Sequence, residues 1–304
     1  LMGLSIRGET PSILAGAARA MRDAATRIHP RTVGLLDTCG TGGDCASTFN
    51  ISTTVALVVA AAGVPVAKHG NRAISSKSGS ADVLEALGVQ LNIAPEKVAE
   101  CIDTTGIGFL FAPGHHPAMQ HAAGPRRELG IRSIFNLLGP LTNPAHAEYQ
   151  VLGVYAKDKL KLVANALRQL GTERALVVHG RDGLDEVTTT TLTDAIWVEQ
   201  GVDQHAPVRE FEIDPAAFGM PYAKATDLAG GDAETNAAII RDILDGKHGP
   251  ARDIVLLNAA AALWVAGKTG GIAAGLRMAA EAIDSGKAAE ALANLVAFTR
   301  TIKT

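Results

Sequence analysis

An apolar run from Val33 to Leu36 leads into Asp37-Thr38-Cys39-Gly40-Thr41-Gly42-Gly43-Asp44. Through Thr48, Phe49, Asn50, Ile51 and Ser52 it then enters a strongly apolar stretch with helical character. A strand, a glycine loop and a helix start, in that order, place the loop at the carboxyl edge of an α/β layer. Gly40, Gly42 and Gly43 permit backbone angles closed to other residues, so several N–H groups can converge on one anion. The helix adds its own unpaired N–H groups and the positive end of its dipole. No Lys-Ser/Thr follows the last glycine, which excludes the nucleoside-triphosphate loop, and the spacing is not that of the dinucleotide fingerprint. A phosphate or pyrophosphate ligand of another class is expected. On the loop alone, a plain connection is the alternative.

The next strand strengthens the anion reading. After a helix from about Ser52 to Ala62 closed by Gly63, the short strand Val64 to Ala67 ends in Lys68-His69-Gly70-Asn71-Arg72. Two successive strands thus deliver a glycine loop and a cationic loop to one sheet edge, where open α/β sheets bind ligands. Ser75-Ser76-Lys77-Ser78-Gly79-Ser80 follows, with a further cation and many hydroxyl donors; it reads either as part of the phosphate site or as a solvated polar loop.

The chain has 304 residues, enough for one large domain or two smaller ones. Its 28 Lys+Arg against 31 Asp+Glu give a net charge of -3, which argues against a general affinity for nucleic acid or anionic membrane while permitting a local basic pocket. At 4% aromatic residues it has little from which to build base-stacking platforms. Cys39, Cys45 and Cys101 are odd in number and lack paired metal-ligand spacing, so a reduced, cytoplasmic protein is expected. Leu1 to Thr10 has no signal-peptide pattern, and the run Val55 to Ala62 is too short to span a bilayer.

Along the chain, Thr10 to about Ile28 reads as one amphipathic helix. Helices are expected at Ala81 to Leu87 and Glu96 to Asp103, and a buried strand at Ile107 to Phe111. Pro117 to Leu129 looks helical with a break at Gly124-Pro125. Strand Gln150 to Tyr155, helix Lys157 to Leu170 and strand Ala175 to His179 repeat the alternation. Two short Thr/Val-rich strands are expected between Val187 and Val198, and a mostly helical tail from about Glu234 to Ile302. The pattern predicts an α/β protein with a largely parallel central sheet flanked by helices.

Asp185-Glu186, just past a strand end, suits Mg²⁺, which takes oxygen ligands and binds with substrate phosphates; alone, the pair would read as a solvated acidic turn. His115-His116-Pro117 and Arg126-Arg127 follow the strand Ile107 to Phe111. An arginine there could pair bidentately with a carboxylate substrate. Asn136, Gly139-Pro140-Leu141 and Asn143-Pro144 form a turn-rich corner that could wall an aromatic pocket.

These segments together resemble the anthranilate phosphoribosyltransferases of tryptophan biosynthesis. The likeness runs through Gly40 to Asp44, Thr48 to Thr53, Lys68 to Arg72, Ser75 to Gly79, Phe111 to Pro113, His116 to Met119, Arg126 to Gly130, Asn136 to Pro144 and Asp185-Glu186, in the family's order along nearly the whole chain. The resemblance implies transfer of phosphoribose from phosphoribosyl pyrophosphate to the amino group of anthranilate. It implies phosphoribosyl pyrophosphate binding by Gly40, Thr41, Gly42, Gly43, Asp44, Asn50, Ser52, Thr53, Lys68, Ser75, Ser76, Lys77 and Gly79. Anthranilate would meet Asn71, His116 and Arg126, and Mg²⁺ would be held by Ser52, Asp185 and Glu186. No nucleophile or general base is assigned.

The family's architecture further implies a small helical domain, from 1–30 and about 94–130, through which a homodimer forms. The large α/β domain would comprise 31–93 and 131–304. Family members usually carry a few dozen more residues before the stretch matching Leu1 to Thr10. Cys39, Cys45, Gln120 and Gly124-Pro125 also depart from the family pattern. A pyrimidine nucleoside phosphorylase is the nearest enzyme alternative, and a non-catalytic nucleic-acid-binding paralogue the alternative from another class. The former would need a nucleobase pocket and the latter a broad basic surface, which the slight net acidity argues against.

Overall fold

In the computed structural model, which describes residues 1–44, 46–73, 77–201 and 208–302, seven strands form one sheet. They are β1 (Leu36–Asp37), β2 (Val66–Gly70), β3 (Ile107–Phe111), β4 (Tyr149–Gly153), β5 (Arg174–Gly180), β6 (Thr193–Glu199) and β7 (Arg209–Ile213). Their order is β3-β2-β1-β4-β5-β6-β7. The five strands β3 to β5 run parallel, while β6 and β7 extend the edge antiparallel. The chain starts the sheet in its middle, builds outward to β3, and returns to lay β4 beside β1. The order therefore reverses between β1 and β4, where such sheets open a crevice at their carboxyl edge.

Strand alternation divides the interior into layers. Val66, Ile107, Val151, Leu176 and Val178 face the larger core, packed by the helices Ile51–Ala61, Pro250–Val265, Ile272–Asp284 and Lys287–Thr301. Helix Ile51–Ala61 is apolar on nearly every side, which fits an element packed between the sheet and three other helices. Leu152, Ala175 and Val177 face the opposite side, against the helices Pro11–Asp23 and Leu160–Leu170. Leu35, Ala67 and Leu110 meet Val98 and Ile102 in a third cluster on that side of the first strands.

Helix ends follow local chemistry. Thr10 accepts the Ile13 N–H at 3.3 Å with Pro11 beginning the helix, and Gly106 closes Pro95–Thr105 at φ 76°. The opening helix stops at Asp23 rather than Ile28. Helix Gln120–Leu129 runs through Gly124-Pro125; the break comes earlier, where a 3₁₀ turn, Pro117–Met119, precedes it. Within 187–198 only the stretch from Thr193 is strand; it belongs to β6, which runs on to Glu199, and its hairpin partner β7 lies beyond. The strand expected at Ile107–Phe111 forms there and is the edge of the central sheet, although it lies inside the segment assigned to the helical domain.

Candidate functional site

β1 ends at Asp37 and the chain turns at once into the glycine loop, at the crevice beside β4. The Thr41 N–H donates to the Gly153 carbonyl at 2.9 Å, and the Thr41 hydroxyl accepts the Tyr155 N–H at 3.0 Å. Gly42 and Gly43 adopt φ 63° and 77°, the left-handed region that favours glycine. Gly40 is needed for a different reason: a Cβ there would stand 2.6 Å from Asp185 Oδ2. The loop and the acidic pair beyond β5 are in direct contact, with the Gly42 N–H donating to Asp185 Oδ2 at 2.7 Å. Gly153, at the end of β4, lies so close to the Asp185 carbonyl that any side chain would overlap it.

Burial, then the neighbouring Asp44 charge, push the Asp185 carboxyl up to about 7. Glu186 lies well above the ordinary carboxylate range for the same reasons, burial first and then the Asp185 charge. Its carboxylate accepts the backbone N–H of Ser52, in the first turn of helix Ile51–Ala61. Both acids therefore sit on backbone donors where the glycine loop meets the start of the helix.

Lys68 is buried on the same face of β2 as Val66. Its ammonium donates to the hydroxyls of Thr38 at 3.2 Å and Ser52 at 3.3 Å. Ser52, Asp185 and Glu186 offer only oxygen donors, and burial makes ionising the two carboxyls costly unless a further cation sits beside them; that donor set fits Mg²⁺. Among the described residues no three His, Cys, Asp or Glu side chains form a ready-made metal cage. Mg²⁺ usually keeps waters and takes substrate phosphates, so a pair of carboxylates suffices.

Other expected phosphate-site residues are placed variously. Asn50 bonds the Ser78 carbonyl at 3.2 Å and accepts from Asn236 at 2.9 Å, tying the loop before helix Ser80–Ala86 to helix Ala233–Leu244. Thr53 is buried, and its hydroxyl finds no partner among the described residues. Lys77 is exposed. Gly79 begins helix Ser80–Ala86, and its N–H bonds Asp82. Ser75 and Ser76, like Cys45, lie outside the described residues.

On the opposite face of β2, His69 and His116 meet with Nε2 atoms 3.2 Å apart. His69 Nδ1 lies 3.1 Å from the Gly139 carbonyl. A carbonyl only accepts, so His69 Nδ1 carries the proton and leaves Nε2 as an acceptor facing His116 Nε2, while His116 also bonds the Thr142 backbone. Burial, then the neighbouring imidazole, pulls His69 down to about 3. Burial, then His115, pulls His116 down to about 4. His115 is also buried, against the Thr26 carbonyl at 3.0 Å, a structural tie. Beneath both faces, the buried Asp37 accepts from Asn143 at 2.7 Å, from the His69 N–H at 3.2 Å and from the Cys39 N–H at 3.1 Å.

Arg126 is half-buried, its guanidinium 5.3 Å from the Phe135 ring centroid. Asn71 spends its side chain on the Arg72 N–H at 2.8 Å, at an exposed turn. Arg72 itself is held away by Asp82 and Glu85. Sequence reading passed over His69, Asp37, Asn236 and Gly153. Position supplied a signal for three of them: His69 adjoins Lys68, Asp37 opens the segment that carries the glycine loop, and Gly153 is a lone glycine at a strand end.

A glycine loop facing a cation and an acidic pair across a sheet's switch point defines a class. Residues 32–289 match the model of the glycosyl transferase family, a/b domain. An anthranilate phosphoribosyltransferase of Acetivibrio thermocellus is 54% identical over 301 residues, covering 99% of this chain and 86% of that one. The Rhodospirillum rubrum enzyme of the same name is 56% identical over 297 residues, covering 98% and 84%. The crystal structure of the Thermus thermophilus anthranilate phosphoribosyltransferase superposes with a TM-score of 0.92 at 48% identity, over 99% of this chain and 88% of that one. The Saccharomyces cerevisiae enzyme, in complex with phosphoribosyl pyrophosphate and Mg, gives 0.88 at 29% identity, over 96% and 81%. The chain belongs to the anthranilate phosphoribosyltransferase family.

Proposed function

We infer that this chain transfers the phosphoribosyl group from phosphoribosyl pyrophosphate to the amino group of anthranilate, releasing pyrophosphate, a step of tryptophan biosynthesis. The observation that carries the reading is the division of labour across β2. Lys68, the glycine loop and the acidic pair occupy one face, and His69, His116 and the Gly139 corner the other. A double substrate needs such a border, with the anion on one side and the aromatic acceptor on the other.

The amine nitrogen attacks the anomeric carbon as the carbon–oxygen bond to pyrophosphate breaks, with the electron pair leaving on pyrophosphate. The proton shed by nitrogen passes to water. The amine is neutral at pH 7, so the protein's task is alignment and stabilisation of growing negative charge. Gly40 to Asp44 receive the pyrophosphate, with Lys68 contributing a buried positive charge and Asn50, Ser52, Thr53, Ser75 to Lys77 and Gly79 completing that side. Mg²⁺ held by Asp185, Glu186 and Ser52 supplies further positive charge when bound. Arg126 meets the anthranilate carboxylate, and its position over Phe135 supports a flat acceptor beside it. Asn71 and His116 hold the acceptor's remaining edge.

The protein acts as a cytoplasmic homodimer, and among the described residues no helix is long and apolar enough to cross a membrane. The dimer forms through a helical unit of 1–30 and about 94–130, from which the strand Ile107–Phe111 departs to join the sheet. Helix Met2–Arg7 supports an interface there: it buries none of its residues and leaves Ile6 79% exposed. The deciding assay follows anthranilate fluorescence with phosphoribosyl pyrophosphate, with Mg²⁺ and with chelator. Loss of signal only with Mg²⁺ and both substrates is expected; a folded protein that leaves the signal unchanged would overturn the reading.

A further inference from the structure

The glycine loop has a second hold, from a residue outside the expected site. Arg132, between the helices Gln120–Leu129 and Phe135–Leu138, donates from Nη2 to the Gly43 carbonyl at 3.0 Å. Its guanidinium lies over the Tyr155 ring, 4.4 Å from the centroid. Tyr155 in turn holds the loop through its backbone N–H, which bonds the Thr41 hydroxyl at 3.0 Å. Arg132 and Tyr155 thus form one stacked unit gripping the loop at two points. Gly42 and Gly43 stand in open space, with no atom within 4 Å of where a Cβ would lie. Polar contacts, rather than packing, set the conformation of this tip.

A trans peptide points its C=O and N–H in opposite directions. Drawing the Gly43 carbonyl toward Arg132 therefore aims the Asp44 N–H away from it. We propose that Arg132 is a positioning residue for pyrophosphate, fixing the Gly43–Asp44 peptide so that the Asp44 N–H is presented to the anion. The inference rests on the assignment of this loop to pyrophosphate. Stacking on Tyr155 makes the role particular to arginine, because its planar fork is oriented by the ring and a lysine ammonium is not.

Calorimetric titration of inorganic pyrophosphate with Mg²⁺ into wild type, Arg132→Ala and Arg132→Lys tests the role, beside the fluorescence assay with both substrates. Arg132→Ala is expected to weaken pyrophosphate binding about fivefold, the effect of one net hydrogen bond. The KM for phosphoribosyl pyrophosphate should rise in step, while the KM for anthranilate and the melting temperature stay unchanged. Arg132→Lys should recover little, since it restores the charge without the fork. Unchanged pyrophosphate affinity in Arg132→Ala, full recovery in Arg132→Lys, or an equal rise in both KM values would each overturn the proposal. A wild type that binds pyrophosphate without consuming anthranilate would sink the proposed reaction, while the titrations would still decide the role of Arg132.

Discussion

Asp185 and Glu186 are kept in the fold against the preference of their own charges. Burial comes first, then repulsion from Asp44 and from each other, and both carboxyls are pushed up as a result. A folded pKa above the unfolded one means that the native state holds protons the unfolded chain has released. For Asp185 this contribution therefore falls as pH rises from about 4 through 7, and for Glu186 it falls in the same direction. The double replacement Asp185→Asn with Glu186→Gln should stabilise the protein by about 1–2 kcal/mol at pH 8. The gain should vanish below about pH 4, where both states carry neutral acids. The amide oxygen at position 185 can still accept from the Gly42 N–H, so the loop keeps that tie. Turnover should fall by about two orders of magnitude or more at ordinary Mg²⁺, because charge stabilisation of leaving pyrophosphate is lost. Melting curves and steady-state rates on one preparation check both halves. Unchanged turnover would remove the metal assignment, and a lower melting temperature would remove the repulsion argument.

At the scale of elements, the end of β4 is the anvil on which the acidic segment rests. Gly153 accepts the Thr41 N–H and lies against the Asp185 backbone. Gly153→Ala should push the segment around Asp185 out of place and lower kcat/KM about 100-fold, the usual cost of misplacing a reacting group by about 1 Å. An unaffected rate would show that the two segments part without consequence. Lys68 and the glycine loop were readable because strand ends and glycine clusters are local signals, and so was helix Pro95–Thr105, marked by Pro95 and Gly106. β1 was read too early, at Val33 to Leu36, whereas Val33 is 78% exposed and the ladder takes Leu36 and Asp37. Both of those residues are buried, so no alternation marks the boundary. The Thr/Val-rich stretch before β6 looks like a strand, yet side chains replace its ladder. Asn258 bonds both the N–H and the carbonyl of Val187, and Asp182 takes the hydroxyls of Thr188 and Thr190. The pairing of His69 with His116, 47 positions apart, depends on β2 meeting the end of β3 and has no local sign at all.

Across the whole molecule, two sets of buried ionisable groups respond to acid in opposite directions. Asp37, Asp185 and Glu186 have raised pKa values, so acidification relieves the fold of their charges. His69 and His116 are pulled down to about 3 and 4. Below the ordinary histidine value of 6.5 the unfolded chain takes up protons that the folded pair refuses, so their contribution to stability is lost as pH falls toward 4. The net pH profile mixes the two sets and cannot assign either, but a double difference can. His116→Gln keeps an N–H that can reach His69 Nε2 and removes one titrating ring. Between pH 7 and pH 5, wild type should lose on the order of 1–2 kcal/mol more unfolding free energy than this variant, measured by urea denaturation at each pH. The carboxylates contribute equally to both proteins and cancel. Equal losses would mean that His116 binds its proton as readily in the folded state as in the unfolded chain, and that the pair is open to water rather than sealed against Gly139.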